Sequence, residues 1–323
     1  MITRRSVLSA AVGAFAARAA LAQVGYPDRL IKLIVPATAG GQTDVLARLL
    51  AQKMQPLIGQ SVIVEDRGGA GGAIGARAAA TAEPDGYTLL FGNTSVLAVI
   101  PVTSKNPGYD PIKNFAPVAS VSESYMILVV PPSFPAKTMA EFLAYARANP
   151  GKLNHAHSGG GNVTQLTSEM FRAMSGIDFI NVPHTGGNEA VQAVLGNQVD
   201  FAFESPVVLL PLIRNGQVRA LAVTSAKRQA DLPEIPTVAE SGVTGFVATL
   251  LTGVVAPAGT PSAIIDKLNG AINEALKAPD MKELIAKFGS QVRIGAPQDF
   301  ATFLAGETRK WADAAKAANI SID

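Results

Sequence analysis

What most restricts the fold of this chain is a regular alternation of element types, punctuated by glycine and proline. Residues 30–35 are a largely apolar, β-branched run stopped by Pro36. After it Val45, Leu46, Leu49, Leu50 and Leu57 recur at helical spacing up to Gly59, with Thr43 placed to cap that helix. The pattern then repeats: residues 61–65 read as a second strand, residues 74–82 as a small-residue helix, and residues 88–91 as a third strand ending at Gly92. Strand, helix, strand, helix, strand with short links predicts a parallel sheet covered by helices. Ligands of such sheets collect at the carboxyl ends of the strands, here the loops 36–43, 66–72 and 92–95.

Residues 96–124, with Pro101, Pro107, Pro111 and Pro117, read as a peripheral excursion ending in a strand near 118–121. A second α/β run follows. It has a strand at 126–130, a helix opened by a capping box from Thr138 to Glu141, a short strand at 153–156, and a helix opened by Asn162 with Gln165 three residues on. Strands at 179–182, 199–203 and 219–224 then alternate with a helix at 189–195 and another reaching Arg214. An apolar strand near 250–256 leads through Pro257 and Pro261 into two or three helices, the last carrying Phe300, Phe303, Leu304 and Trp311 on one face. Those helices need a sheet to lie on, and the first sheet still needs helices. The predicted architecture is therefore α/β and two-lobed, with crossings near 120–125 and 248–254. The expected division is an export signal at 1–22, lobe 1 at 23–124, lobe 2 at 125–248, and a return to lobe 1 with the C-terminal helices at 249–323.

Composition narrows the chemistry. The 323 residues contain no cysteine, which removes thiol nucleophiles and Cys-ligated zinc or iron-sulfur sites. His155, His157 and His184 are the three imidazoles. His155 and His157 would share a strand face, but with no third histidine in reach no metal is expected. A hydrolase would have to build its triad from the same three residues, without a Gly-x-Ser-x-Gly elbow. No Gly-x-x-x-x-Gly-Lys loop occurs either, so a phosphate-cradling NTPase is excluded.

The first segment pairs a basic head at Arg4 and Arg5 with a short apolar stretch at 6–17 and a small-residue cleavage site at Ala20-Leu21-Ala22, the form of an export signal. The apolar stretch falls short of the roughly 20 residues that span a membrane. Residues 3–8 also have a twin-arginine look, although a plain basic head reads much the same. Removal of 1–22 takes away Arg4, Arg5 and Arg18 and no acid, bringing the formal charge from +2 to −1. A nucleic-acid partner is excluded on that ground, because phosphate backbones are gripped by basic faces.

The segment with most to say about function is Pro36-Ala37-Thr38-Ala39-Gly40-Gly41-Gln42-Thr43-Asp44, lying between a strand and a helix. Gly40 and Gly41 permit a tight turn, and the helix start adds unpaired amides with a positive dipole end, a place that holds an anion without lysine or arginine. The same residues would also suit an ordinary turn. Ser158-Gly159-Gly160-Gly161-Asn162-Val163-Thr164 repeats the idea in the second lobe with side chains able to bind carboxylate oxygens, and Pro183-His184-Thr185-Gly186-Gly187 is a third example. Two lobes each offering glycine-lined helix starts suggest a cleft that clamps a small anion. His184 reads as a side chain that distinguishes what lies beyond the first carboxylate, or as a structural residue. Gly69-x-Gly71-x-x-x-Gly75 approaches a dinucleotide fingerprint and keeps an exported NAD(P)-dependent oxidoreductase as the alternative. Against it, the motif follows the second strand and the third ends in Gly92 rather than an acid.

Having reached these loops, the chain resembles the solute receptors of the tripartite tricarboxylate transporter family, the Bordetella uptake receptors, over essentially all of residues 23–323. The resemblance is carried by Tyr26-Pro27-Asp28-Arg29, by Val35-Pro36 with Ala39-Gly40-Gly41, by Glu65-Asp66-Arg67 and by Pro84-Asp85-Gly86-Tyr87-Thr88. Leu195-Gly196 with Asp200, Leu232-Pro233 with Pro236-Thr237, and the run from Ala256 to Pro261 continue it. It implies a two-lobed periplasmic-binding-protein-like flytrap fold, each lobe a mainly parallel sheet with helices on both faces. It further implies a monomeric, non-catalytic periplasmic receptor without cofactor that hands a small organic mono-, di- or tricarboxylate to membrane permease subunits. A sensing role without transport is its variant. Position by position, the implied ligand contacts are Thr38, Gly40, Gly41 and Thr43 in lobe 1, Thr94 and Ser95 after the third strand, and Gly161, Asn162, Val163 and Thr164 in lobe 2. His184 and Thr185 stand where the family commonly has Tyr-Lys, and they join this set as candidates for reading the distal half of the ligand.

Overall fold

The computed structural model of the chain describes residues 25–37, 39–158 and 162–317. The expected export signal at 1–22 lies outside them, as do Thr38 and Gly161 of the expected site. Lobe 1 opens with β1 (Ile31–Val35), α1 (Gln42–Ile58), β2 (Val62–Asp66), α2 (Ala73–Ala80) and β3 (Thr88–Asn93), in the order the sequence pattern predicts. A π-helical turn (Ser95–Val99) runs into the short α3 (Ile100–Thr103), and the long β4 (Phe115–Tyr125) leads out of the lobe. Lobe 2 holds β5 (Ile127–Val130), α4 (Met139–Ala148), β6 (Leu153–His157), α5 (Val163–Ser175), β7 (Phe179–Pro183), α6 (Gly187–Leu195), β8 (Phe201–Glu204), α7 (Pro206–Arg214) and β9 (Arg219–Val223). β10 (Thr249–Pro257) returns to lobe 1, followed by α8 (Ser262–Ala275), α9 (Pro279–Lys287), β11 (Ser290–Val292) and α10 (Pro297–Ala317).

The sheets are mixed rather than mainly parallel. Lobe 1 has the order β11-β4-β10-β3-β1-β2 and lobe 2 the order β7-β6-β8-β5-β9. β1 pairs in parallel with β2 and β3, and β6 with β7 and β8, as strand-helix-strand units require. β10 is antiparallel to both β3 and β4, and β5 to both β8 and β9. The reason is topological: β4 carries the chain out of lobe 1 and β10 brings it back, so two strands lying side by side must run in opposite directions.

Each sheet is covered on both faces, and the strands show it by alternation. In lobe 1 Leu33, Leu89, Phe91 and Val254 pack with Leu46, Leu50 and Met54 of α1 and with Ile265 and Leu268 of α8. Their neighbours Ile34, Leu90 and Val255 pack on the other face with Ala76 of α2 and Phe300 and Leu304 of α10. In lobe 2 Leu128, Phe201 and Phe203 face Phe142 and Phe171, while Ile127, Val129 and Ala202 face Val191 and Leu209. The last helix is shared between lobes, because its far end buries Trp311, Ala314 and Ala315 among the lobe 2 residues Met170 and Phe171.

The two crossing strands are paired up to the lobe boundary, with Tyr125 opposite Thr249. Thr224, wholly buried, ties them just beyond it: its hydroxyl accepts from the Met126 amide at 2.7 Å and donates to the Ala248 carbonyl at 2.6 Å.

Candidate functional site

The carboxyl ends of β1, β3, β6 and β8 converge on one cavity of about 240 Å³ between the lobes. Lobe 1 contributes Gln42 and Thr43 at the start of α1, Asn93, Thr94 and Ser95 after β3, and Ser290 of β11. The paired crossing strands form the floor with Ser122, Ser124, Leu250, Leu251 and Thr252, together with Met126. Lobe 2 contributes Ser158, Asn162, Val163, Thr164, Glu204 and Ser205. No lysine, arginine or histidine is among these residues; Glu204 is the one ionisable side chain.

The lobe 1 turn is shaped by an acid. Gly40 has φ +82°, a left-handed conformation that a side chain resists, whereas Gly41 at φ −76° is the extended N-cap of α1. Asp44, only 3% exposed, reaches back to accept from the Gly40 amide at 2.7 Å and pairs with Arg48 at 2.6 Å. Arg48 extends to Asp66 at 2.5 Å, joining the first turns of α1 to the end of β2. Burial pushes the Asp44 carboxyl up, but the Gly40 amide and Arg48 together outweigh it and hold the group below the usual carboxylate range. One amide of the glycine turn is therefore spent on Asp44, while those of Gln42 and Thr43 have no carbonyl of the helix to bond. Gly40 and Gly41 shape the turn without themselves lining the cavity.

The lobe 2 turn is shaped by neutral groups. Asn162 Oδ1 accepts from the amides of Thr164 at 3.1 Å and Gln165 at 3.2 Å, the cap that its position before the helix predicts. Its Nδ2 bonds the Ser158 hydroxyl at 2.9 Å, and the Thr164 hydroxyl accepts from the Ser158 amide at 3.0 Å. Asn162 and Thr164 thus build the turn as much as they face the cavity. The Val163 amide, at the first helical position, has no carbonyl within the helix to bond. After β3, the Thr94 hydroxyl accepts from the Leu251 amide at 2.7 Å, which pins a returning strand to the site.

His184 and Thr185 lie outside the lining. The His184 amide bonds the His157 carbonyl at 2.9 Å, its Nδ1 meets the Val182 carbonyl at 3.0 Å, and the Thr185 amide bonds Glu189 at 3.2 Å, so this turn is held along the end of β7. His155 is a core residue against Phe201, bonded to Asn181 at 2.8 Å, and burial pushes its imidazole down to about 3. Among the described residues no group of three metal-ligating side chains comes together. In the second glycine cluster, a Cβ on Gly75 would stand 2.7 Å from the Arg67 carbonyl and 3.0 Å from Pro36 Cα, and one on Gly72 would stand 2.7 Å from the Pro36 carbonyl. These glycines serve close packing of α2 on the end of β1, and none of residues 69–75 lines the cavity.

Gln42 and Ser158 stood in the two turns singled out from the sequence, but sequence reasoning missed Asn93, Ser122, Ser124, Met126, Glu204, Ser205, Leu250, Leu251, Thr252 and Ser290. A signal for some was present: Ser120, Ser122 and Ser124 alternate along one strand, and Glu204-Ser205-Pro206 ends a buried strand at a helix start. Nothing local marks Ser290.

Residues 46–320 match the family described as the tripartite tricarboxylate transporter family receptor. Protein BugT of Bordetella pertussis is 37% identical over 94% of this chain and 95% of its own. Among solved structures, Rpa4515 of R. palustris with adipate superposes with a TM-score of 0.80 at 33% identity, covering 92% of this chain and 99% of that one. MatC from Rhodopseudomonas palustris with bound malate gives 0.77 at 33% identity, covering 90% and 99%.

Proposed function

The chain belongs to the tripartite tricarboxylate transporter receptor family, and from that premise we propose that it is a periplasmic receptor that captures a small organic carboxylate between its lobes and passes it to membrane permease subunits. The observation that carries the reading is the cavity itself. Two helix starts, one from each lobe, face a space lined by hydroxyls and amides with no cationic side chain, a setting in which oriented amides and dipoles hold an anion. The proposed contacts are Thr43, Thr94, Ser95, Asn162, Val163 and Thr164, while Gly40 and Gly41 shape the first turn. Thr38 and Gly161, expected contacts from the sequence, lie outside the described residues. The solved relatives with adipate and with malate support the carboxylate class. An NAD(P)-dependent oxidoreductase loses its support, because the glycine cluster it needs is packed against Pro36.

Binding is tested by thermal shift and calorimetry of the mature protein against aliphatic, aromatic and amino-acid carboxylates. At a hundredfold excess over Kd a true ligand stabilises by about 2.7 kcal/mol. Binding draws the lobes together about the paired crossings at Thr224, so the scattering radius falls on adding the ligand. A panel with no stabiliser overturns the reading. Export by the twin-arginine route is the finer proposal: Arg4→Lys with Arg5→Lys then arrests export, and normal export assigns the general route.

A further inference from the structure

Glu204 is out of keeping with the rest of the cavity. It ends β8 opposite Ile127 of β5, is 7% exposed, and belongs to no ion pair among the described residues. One carboxyl oxygen, Oε2, accepts from the Ser205 amide at 2.8 Å. Apart from Ser205, whose hydroxyl also lies against the carboxyl, no described residue hydrogen-bonds it. The carboxyl lies against the start of α6, where a Cβ on Gly187 would collide with it and push it aside. Burial pushes the carboxyl up from its ordinary range, and the Ser205 amide and hydroxyl only partly offset that. An unpaired buried carboxyl weakens a fold, and an apolar side chain of similar size would be better tolerated. Such a group is retained where something outside the fold completes it.

We propose that Glu204 is the specificity-determining residue of the cleft, an acceptor that selects organic acids bearing a hydroxyl or amino donor beside the carboxylate held at the helix starts. The inference rests on the carboxylate reading above and adds what the remainder of the ligand must carry. A bare methylene chain leaves the carboxyl with Ser205 alone. A hydroxyl or amino group gives it a further donor, and this discriminates because the wrong ligand leaves a buried carboxyl short of hydrogen bonds.

The test is calorimetry of the mature protein with matched sets that differ only in the donor: succinate, malate and aspartate, and phenylacetate, mandelate and phenylglycine. Wild type binds a hydroxy or amino member at least about tenfold tighter than the unsubstituted member of its set. Glu204→Met, which removes the acceptor and keeps the length, abolishes that preference. Glu204→Gln keeps an acceptor without charge, so it retains a preference for hydroxyl and loses one for ammonium, which identifies the donor. If Glu204→Met fails to fold, methoxysuccinate against malate on wild type removes the donor from the ligand instead, with the same tenfold loss expected. Equal binding within every set, tighter binding of the unsubstituted acid, or an unchanged ranking in Glu204→Met overturns the assignment and leaves the carboxylate reading standing. Failure of all six acids to bind overturns both.

Discussion

The turns before α1 and α5 do the same work with different chemistry. Each follows a parallel strand and presents a helix start to the cavity. In lobe 1 the turn is braced by charge: Asp44 holds the Gly40 amide, and Arg48 joins Asp44 to Asp66. In lobe 2 it is braced by neutral hydrogen bonds among Ser158, Asn162 and Thr164. A helix start can thus be aimed by an ionic brace or an amide cap, and only the first depends on pH. The ionic brace keeps its charges among themselves, so both turns still present neutral donors to the ligand.

The sharpest way to break this comparison is to remove each brace. Asp44→Ala deletes a buried, charge-assisted bond to the Gly40 amide and leaves Arg48 paired with Asp66 alone. Urea unfolding should show a loss of about 1 to 3 kcal/mol, with weaker binding of every acid. Asn162→Ala deletes a helix cap and its bond to Ser158, and the same measurement should show about 1 to 2 kcal/mol. An Asn162→Ala loss that tracked pH would erase the distinction between the turns.

Stability against pH sharpens it further, with slopes below about 1.4 kcal/mol per pH unit for one proton. The folded Asp44 carboxyl lies below its unfolded value of about 3.9, so its contribution is present at neutral pH and is lost as pH falls through the folded value. Glu204 has the opposite sign. Its folded value lies above the ordinary 4.5, so the folded state holds the proton more tightly and stability declines as pH rises from there. Unfolding of Asp44→Asn should flatten the acid limb alone, and that of Glu204→Gln should flatten the decline on the other side. The smallest effect separates two adjacent glycines. Gly40→Ala should cost about 1 kcal/mol at its left-handed position, and Gly41→Ala a few tenths at its extended one. Equal costs would mean that the turn relaxes freely.

What could be read in the sequence was what is local. The change of period from Val35 to Val45 marks β1 and α1, and Asn162 with Gln165 three residues on marks a capped helix. Strand direction carries no local mark, which is why the crossings β4 and β10 were legible as strands but not as an antiparallel pair. Asp44 in a first helical turn looks like any acid placed there for the dipole; its bond back to Gly40 depends on how the glycine turn closes. His184 shares its setting with the other glycine turns, yet its bonds to His157 and Val182 tie it to the end of the sheet. Glu204 becomes conspicuous only when β8, α6 and α7 are brought together, because its lack of a cationic partner among the described residues is a tertiary property. Trp311 was placed correctly on an apolar helix face, but which lobe that face meets follows from the length of α10.

The central claim is that one carboxylate is held by both helix starts at once. Amide proton shifts of Thr43 and Val163, followed by NMR while the tightest acid of the panel is titrated, test it most directly. Both signals should move downfield and saturate at the same ligand concentration, as expected for two donors sharing one anion. A shift at only one of them, or two different midpoints, would contradict the account.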